Sequence, residues 1–228
     1  MTGSFVGLLL GVAMGARHAL DPDHLAAVSV LSADAPGARR GAILGALWGA
    51  GHAAALLGTG LVLAGLAAEL PAALADVFEL AVAAMLILLG ARALARALRS
   101  ADLGPIRLHA HGAVAHLHAG PAAHLHVARR TFALRPFVVG ILHGLAGSGA
   151  LTALVLARLP SAHLRLAYMA LFSVGSIVGM CVLSGLAGWP LARVARSPRA
   201  ARLLLGTAGA ISAVLGLMWG WPVAGRLF

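Results

Sequence analysis

Six long apolar stretches run through the sequence, at residues 4–32, 41–66, 72–98, 136–157, 164–189 and 201–223, with most of the arginines gathered between them. A helix rising about 1.5 Å per residue crosses ~30 Å of hydrocarbon in about 20 residues, so each stretch is long enough to span a bilayer. Inside hydrocarbon every backbone N–H and C=O must be paired within the structure, which restricts such segments to helices or closed barrels. Stretches of this length predict an all-α polytopic membrane protein with six transmembrane helices. Composition agrees: 61% of the 228 residues are hydrophobic and 11% are charged, against about 25% charged in a soluble domain. An ordinary cytosolic enzyme is thereby excluded. Residues 1–100 hold the first three expected helices, 101–134 a loop, and 135–228 the last three.

The formal net charge of +10 comes from seventeen basic residues, all arginine, against seven acidic ones. A nucleic-acid binder gathers such charge on one folded polar face. Here it lies between apolar runs, the pattern of membrane loops, and no nucleic-acid partner is expected. One side collects thirteen arginines, from Arg39 and Arg40 through the 92–135 region to Arg202. That side is assigned to the cytoplasm, leaving both termini outside. The N-terminal stretch has no basic leader and no small-residue cleavage site, and reads as a retained span. A single cysteine, Cys181, permits no disulfide within the chain.

The two halves resemble each other weakly. Gly7-Leu8-Leu9-Leu10-Gly11 parallels Gly140-Ile141-Leu142-His143-Gly144, and Gly51-His52 parallels Gly175-Ser176. Three spans per unit is an odd number, so the halves of such a 3+3 repeat would be inverted, as in many transporters with binding sites near the midplane.

The chemistry concentrates in Arg17-His18-Ala19-Leu20-Asp21-Pro22-Asp23-His24, inside the first apolar stretch. Ionisable groups at that depth are costly unless they are paired or used. Arg17 and Asp21 stand four apart, at the spacing of a helical ion pair. On an unbroken helix His18, Asp21 and His24 share an arc of about 120°, and Asp23 points away. Pro22, however, cannot donate to the carbonyl of His18, so the helix should open there and bring Asp23 round. His52, between glycines in the second stretch, and His143, in the fourth, are further metal-ligand candidates beside this cluster. The metal set is therefore His18, Asp21, Asp23, His24, His52 and His143. All seven acidic residues precede residue 103, so neutralisation of a cation falls to the first stretch. For Ser148, Thr152, Ser173, Ser176 and Ser184, helix packing is the expected role.

Between Arg107 and Arg130 lie His109, His111, His116, His118, His124 and His126, three His-x-His pairs in a segment expected to be irregular and metal-binding. They form an accessory metal loop rather than a pathway, because irregular backbone does not enter hydrocarbon.

At Arg17 to His24 the chain resembles the nickel/cobalt transporter family, whose signature is His-x4-Asp-His in an N-terminal membrane helix; Gly51-His52 matches that family's next motif. The resemblance is to a short branch similar to urease-associated nickel permeases. The larger permeases carry a preceding helix that has no counterpart here, and acidic positions where this chain has Ser148, Thr152, Ser184 and Ala187. The family implies a carrier of Ni2+ or Co2+ in the bacterial plasma (inner) membrane, surrounded by lipid, with no permanently bound cofactor, no enzymatic activity and metallo-enzyme maturation proteins as partners. Imidazole and carboxylate alone also suit zinc or iron.

A second class, a rhomboid-like intramembrane serine protease, is raised by Gly147-Ser148-Gly149, but the sixth stretch contains no histidine to form a dyad. The topology is directly testable. A reporter active only in the cytoplasm should be silent when fused after Phe228 and active when inserted between His118 and His124; a strong signal at Phe228 would invert the assignment.

Overall fold

The described residues of the computed structural model (2–34, 37–66, 70–99, 107–111, 114–118, 134–146, 161–194 and 196–228) form seven helices and one hairpin. In order these are α1 (Thr2–His18), α2 (Pro22–Asp34), α3 (Ala38–Leu66), α4 (Ala72–Arg99), β1 (Arg107–His111), β2 (Val114–His118), α5 (Leu134–Ala146), α6 (Ala162–Val194) and α7 (Pro198–Leu227). Four of them, α3, α4, α6 and α7, are long and apolar enough to cross a membrane. The chain is a helical membrane protein.

Two of the six expected spans differ from single long helices. The first is divided: α1 ends at His18 and α2 begins at Pro22, where the missing proline N–H and the ring's clash with the preceding turn end the ladder. The fourth is described as a helix over Leu134–Ala146, and the rest of that stretch, with Ser148 and Thr152, lies outside the described residues. The loop expected to be irregular contains an antiparallel pair instead, with Arg107 opposite His118, His109 opposite His116 and His111 opposite Val114. The reason is periodicity: His-x-His alternates polar and apolar residues at the two-residue repeat of a strand. His124 and His126 lie outside the described residues.

The bundle is built inside out relative to a water-soluble one. On α6, Val174, Val178, Val182 and Leu186 recur every four residues and are exposed, while Ser173, Ser176, Met180 and Ser184 face inward and are buried. A helix face of valine and leucine suits lipid, and small inward residues let backbones approach. α3 packs against α6, α4 against α7, and α1 lies along α6. Between α3 and α5 the approach is so close that a Cβ at Gly140 would collide with the carbonyl oxygen of Trp48, and one at Gly51 with that of Phe137. α4 and α7 are tied along their length. The Ser212 hydroxyl donates to the Leu86 carbonyl at 2.9 Å, and Arg226 reaches Asp76 at 2.6 Å and Glu79 at 3.3 Å. α7 begins at a Ser-Pro pair, where the Ser197 hydroxyl accepts from the Ala200 N–H and Pro198 occupies the first turn.

These contacts predict a sharp contrast between two glycines. Gly140→Ala should destabilise the protein by about 1–3 kcal/mol in a detergent unfolding measurement, because two helices must move apart. Gly58→Ala, with nothing within 4 Å of the new methyl, should be neutral or slightly stabilising.

Candidate metal site

The site forms where the first apolar stretch breaks. At the end of α1 the Leu20 N–H donates to the Arg17 carbonyl at 2.9 Å and the Asp21 N–H to that of His18 at 3.1 Å, a tight turn in place of helical bonds. α2 then starts afresh, with the Leu25 N–H donating to the Asp21 carbonyl. The turn holds His18 on one helix end and Asp23 and His24 on the next; the two imidazoles face α3 and the carboxylate of Asp23 faces α5. There His52 stands midway along Ala38–Leu66, fully buried.

Four imidazoles gather there. Ring centroids lie 4.6 Å apart for His18 and His24, 5.1 Å for His18 and His52, 5.5 Å for His24 and His52, and 4.9 Å for His24 and His143. One ligand atom from each of His18, His24 and His52 falls within 4.8 Å of the others, and Asp21, Asp23 and His24 form a second such group. His143 arrives on α5, its Nε2 3.7 Å from Asp23 Oδ2. Trp48 walls the cluster, stacked on His24 at 5.1 Å and edge-on to His143 at 5.4 Å.

Hydrogen bonding fixes which nitrogen each ring presents. His18 Nδ1 lies 2.6 Å from Asp21 Oδ2, His24 Nδ1 3.1 Å from Asp23 Oδ1, and His143 Nδ1 3.1 Å from the Val139 carbonyl. A carboxylate or carbonyl oxygen accepts, so a neutral ring in any of these pairs donates from Nδ1 and leaves its Nε2 lone pair for a metal. Carboxylate or carbonyl partners behind a histidine are the usual support of a metal ligand, setting tautomer and ring orientation. The Nε2 atoms of His24 and His143 and the Nδ1 of His52 are buried with no hydrogen-bond partner. Leaving buried nitrogens unpaired is costly, and a cation accepting their lone pairs removes the cost. Two carboxylates match the charge of a divalent ion.

All six candidate ligands come together: His18, Asp21, Asp23, His24, His52 and His143. One expected pairing does not form. Arg17 is exposed, and Asp21 bonds His18 instead, because the four-residue spacing needs a continuous helix and the chain turns at residue 19. Trp48 was not among the expected site residues; its stacking on His24 depends on the α2–α3 approach, which local sequence does not report. The loop histidines His109, His111, His116 and His118 stand on β1 and β2, apart from this cluster in the chain.

Fold and site together define a helical membrane protein with buried imidazoles gathered beside two partly exposed carboxylates at a broken helix. No protein-family profile matches the chain, and no solved structure does. Over 216 residues it is 28% identical to the urease accessory protein UreH of Bacillus sp. (strain TB-90), an alignment covering 92% of this chain and 88% of that protein. The resemblance to the urease-associated branch, read from Arg17–His24 and Gly51-His52, therefore stands over nearly the whole length. The match is to an accessory protein, and the protease alternative lacks its dyad, since α7 has no histidine.

Asp21→Asn tests the supporting role of that carboxylate. It keeps the side chain's shape but removes the charge behind His18, and should weaken Ni2+ binding about 10–100-fold in calorimetry of the detergent-solubilised protein. His24→Ala should weaken it further. Unchanged affinity in both would remove the cluster from consideration.

Proposed function

We infer that this chain carries a divalent transition-metal ion, Ni2+ or Co2+, across the bacterial plasma membrane through the His/Asp cluster at the helix break. The observation that carries the reading is the set of buried nitrogens without a hydrogen-bond partner on His24, His52 and His143, gathered with His18 beside Asp23. Borderline imidazole ligands with oxygen donors and no thiolate suit nickel and cobalt. The relative's description as a urease accessory protein supports nickel, and metallo-enzyme maturation proteins as recipients.

The architecture we infer is six spans in two inverted triplets: α1–α2, α3 and α4, then α5, α6 and α7. Helix directions support it. Contacts between α1 and α6 advance together along both chains, from Gly11 on Tyr168 to Gly15 on Phe172, so the two run parallel. α3 and α5 also run parallel, Gly140 meeting Trp48 and Gly144 meeting His52. α3 and α6 run antiparallel, from Gly41 on Ser184 to Gly49 on Ile177. An inverted repeat relates the α1–α6 contact to the α5–α3 contact, and both are present. Both termini then lie outside, with the β1–β2 loop in the cytoplasm, where its imidazoles collect or buffer the ion near the membrane.

Radiolabelled nickel flux into cells separates pathway from accessory loop. His18→Ala and His24→Ala should abolish flux at wild-type membrane abundance. Replacing all six loop histidines by alanine should alter apparent affinity and leave substantial flux. Normal flux in both single variants would overturn the carrier site, and a dead loop variant would make the loop an obligatory station.

A further inference from the structure

α6 carries two hydroxyls that the metal cluster as described does not use. Ser173 is 2% exposed and Ser176 0%, and neither Oγ has a hydrogen-bond partner. Serines elsewhere on these helices find one: Ser29 donates to the Leu25 carbonyl at 2.7 Å and Ser212 to that of Leu86 at 2.9 Å. A buried hydroxyl that forgoes even its own helix's carbonyls is an orphaned polar group like the nitrogens of His24, His52 and His143.

Packing sets both hydroxyls at the level of the cluster. Along α3 and α6 the contacts step from Gly41 on Ser184 through Gly45 on Met180 and Gly49 on Ile177 to Leu56, which clusters with Met169 and Phe172. The intervening turn brings Ser173 level with His52. Along α1 and α6, a Cβ on Gly15 would meet the Phe172 carbonyl and the Ser176 backbone nitrogen, and one on Gly179 would meet Ala16 and Ala19. Ser176 therefore comes level with His18, whose ring lies 5.5 Å from that of Phe172.

The sequence repeat points to the same residue. Trp48-Gly49-Ala50-Gly51-His52 aligns with Phe172-Ser173-Val174-Gly175-Ser176. Each half sets an aromatic ring against the cluster, Trp48 on His24 and Phe172 beside His18. Each half also seats a glycine on a neighbouring carbonyl, Gly51 on Phe137 and Gly175 on Val12. Ser176 thus stands at the counterpart position of His52.

We propose that the Ser176 and Ser173 hydroxyls are oxygen ligands to the transported ion, supplied by the half of the chain that has no carboxylate. The proposal rests on the metal-carrier reading above. Each hydroxyl gives a lone pair and keeps its proton, so charge neutralisation stays with Asp21 and Asp23. Neutral, weak oxygen donors facing an imidazole and carboxylate shell bind the ion without trapping it, as a conduction site requires.

The test uses the full-length protein in detergent with its six loop histidines replaced by alanine, so that only the intramembrane site is read, with Ni2+ and Cd2+ as probes. Ser173→Ala and Ser176→Ala remove only unbonded oxygens, so the thermal stability of the metal-free protein should be unchanged or raised, while Ni2+ affinity falls by about 10-fold or more. Ser176→Cys should raise the preference for Cd2+ over Ni2+ and add sulfur to the ion's coordination shell in X-ray absorption. Wild-type Ni2+ affinity in both alanine variants, with no sulfur seen in the cysteine variant, would overturn the proposal. His24→Ala keeps the two failures apart. If it loses Ni2+ while both serine variants keep it, only the hydroxyl assignment falls; if His24→Ala itself binds normally, the carrier reading falls as well.

Discussion

Pro22 has no backbone N–H to give to the carbonyl of His18, and the rest of the site depends on that missing donor. The chain turns through Ala19 and Leu20 with short-range bonds to Arg17 and His18, and a second helix starts within the same apolar stretch. A continuous helix would have left Asp23 on the far side from His18. The break brings it beside His24 and His143, and frees Asp21 to hold His18. A turn of open backbone at this depth is tolerable only where protein surrounds it. Here Ala19 is buried against Gly179 of α6, Leu20 and Asp21 stay partly exposed, and the neighbouring helices supply His52, His143 and the buried serines.

That enclosure requires close helices. Glycines at Gly15, Gly49, Gly51, Gly140 and Gly144 bring backbones to distances that any larger residue would prevent. In a bilayer, packing of this kind substitutes for the hydrophobic drive that assembles soluble proteins, since lipid is as apolar as leucine. The exposed Val174, Val178 and Val182 and the buried Ser173, Ser176 and Ser184 on one helix express both demands at once. Apolar groups face out toward lipid, and small and polar ones face in toward neighbouring backbone.

Much of this was legible in the sequence, and the rest was hidden for physical reasons. Helix positions followed from the length of apolar runs, and the break from Pro22 inside one of them. The Arg17–Asp21 pair failed because the same proline that opens the helix cancels the four-residue spacing on which that pair relied. The hairpin over residues 107–118 was present as a two-residue alternation, but the histidines at those positions drew the reading toward ligand spacing. Trp48 against His24 was invisible in the sequence, and so was the lack of any hydrogen-bond partner for Ser173 and Ser176. On a helix apolar or small all round, only the partner helices decide which residues face a cluster, and those contacts join residues far apart in the chain.

The most direct measurement of the central claim, that the ion binds at the helix break, is X-ray absorption at the nickel edge on protein whose six loop histidines are replaced by alanine. One Ni2+ per chain should remain, in a nitrogen and oxygen shell with the outer scattering of several imidazoles and no sulfur. Loss of bound nickel from this variant, or a shell without imidazole, would contradict the assignment of His18, His24, His52 and His143 as the intramembrane site.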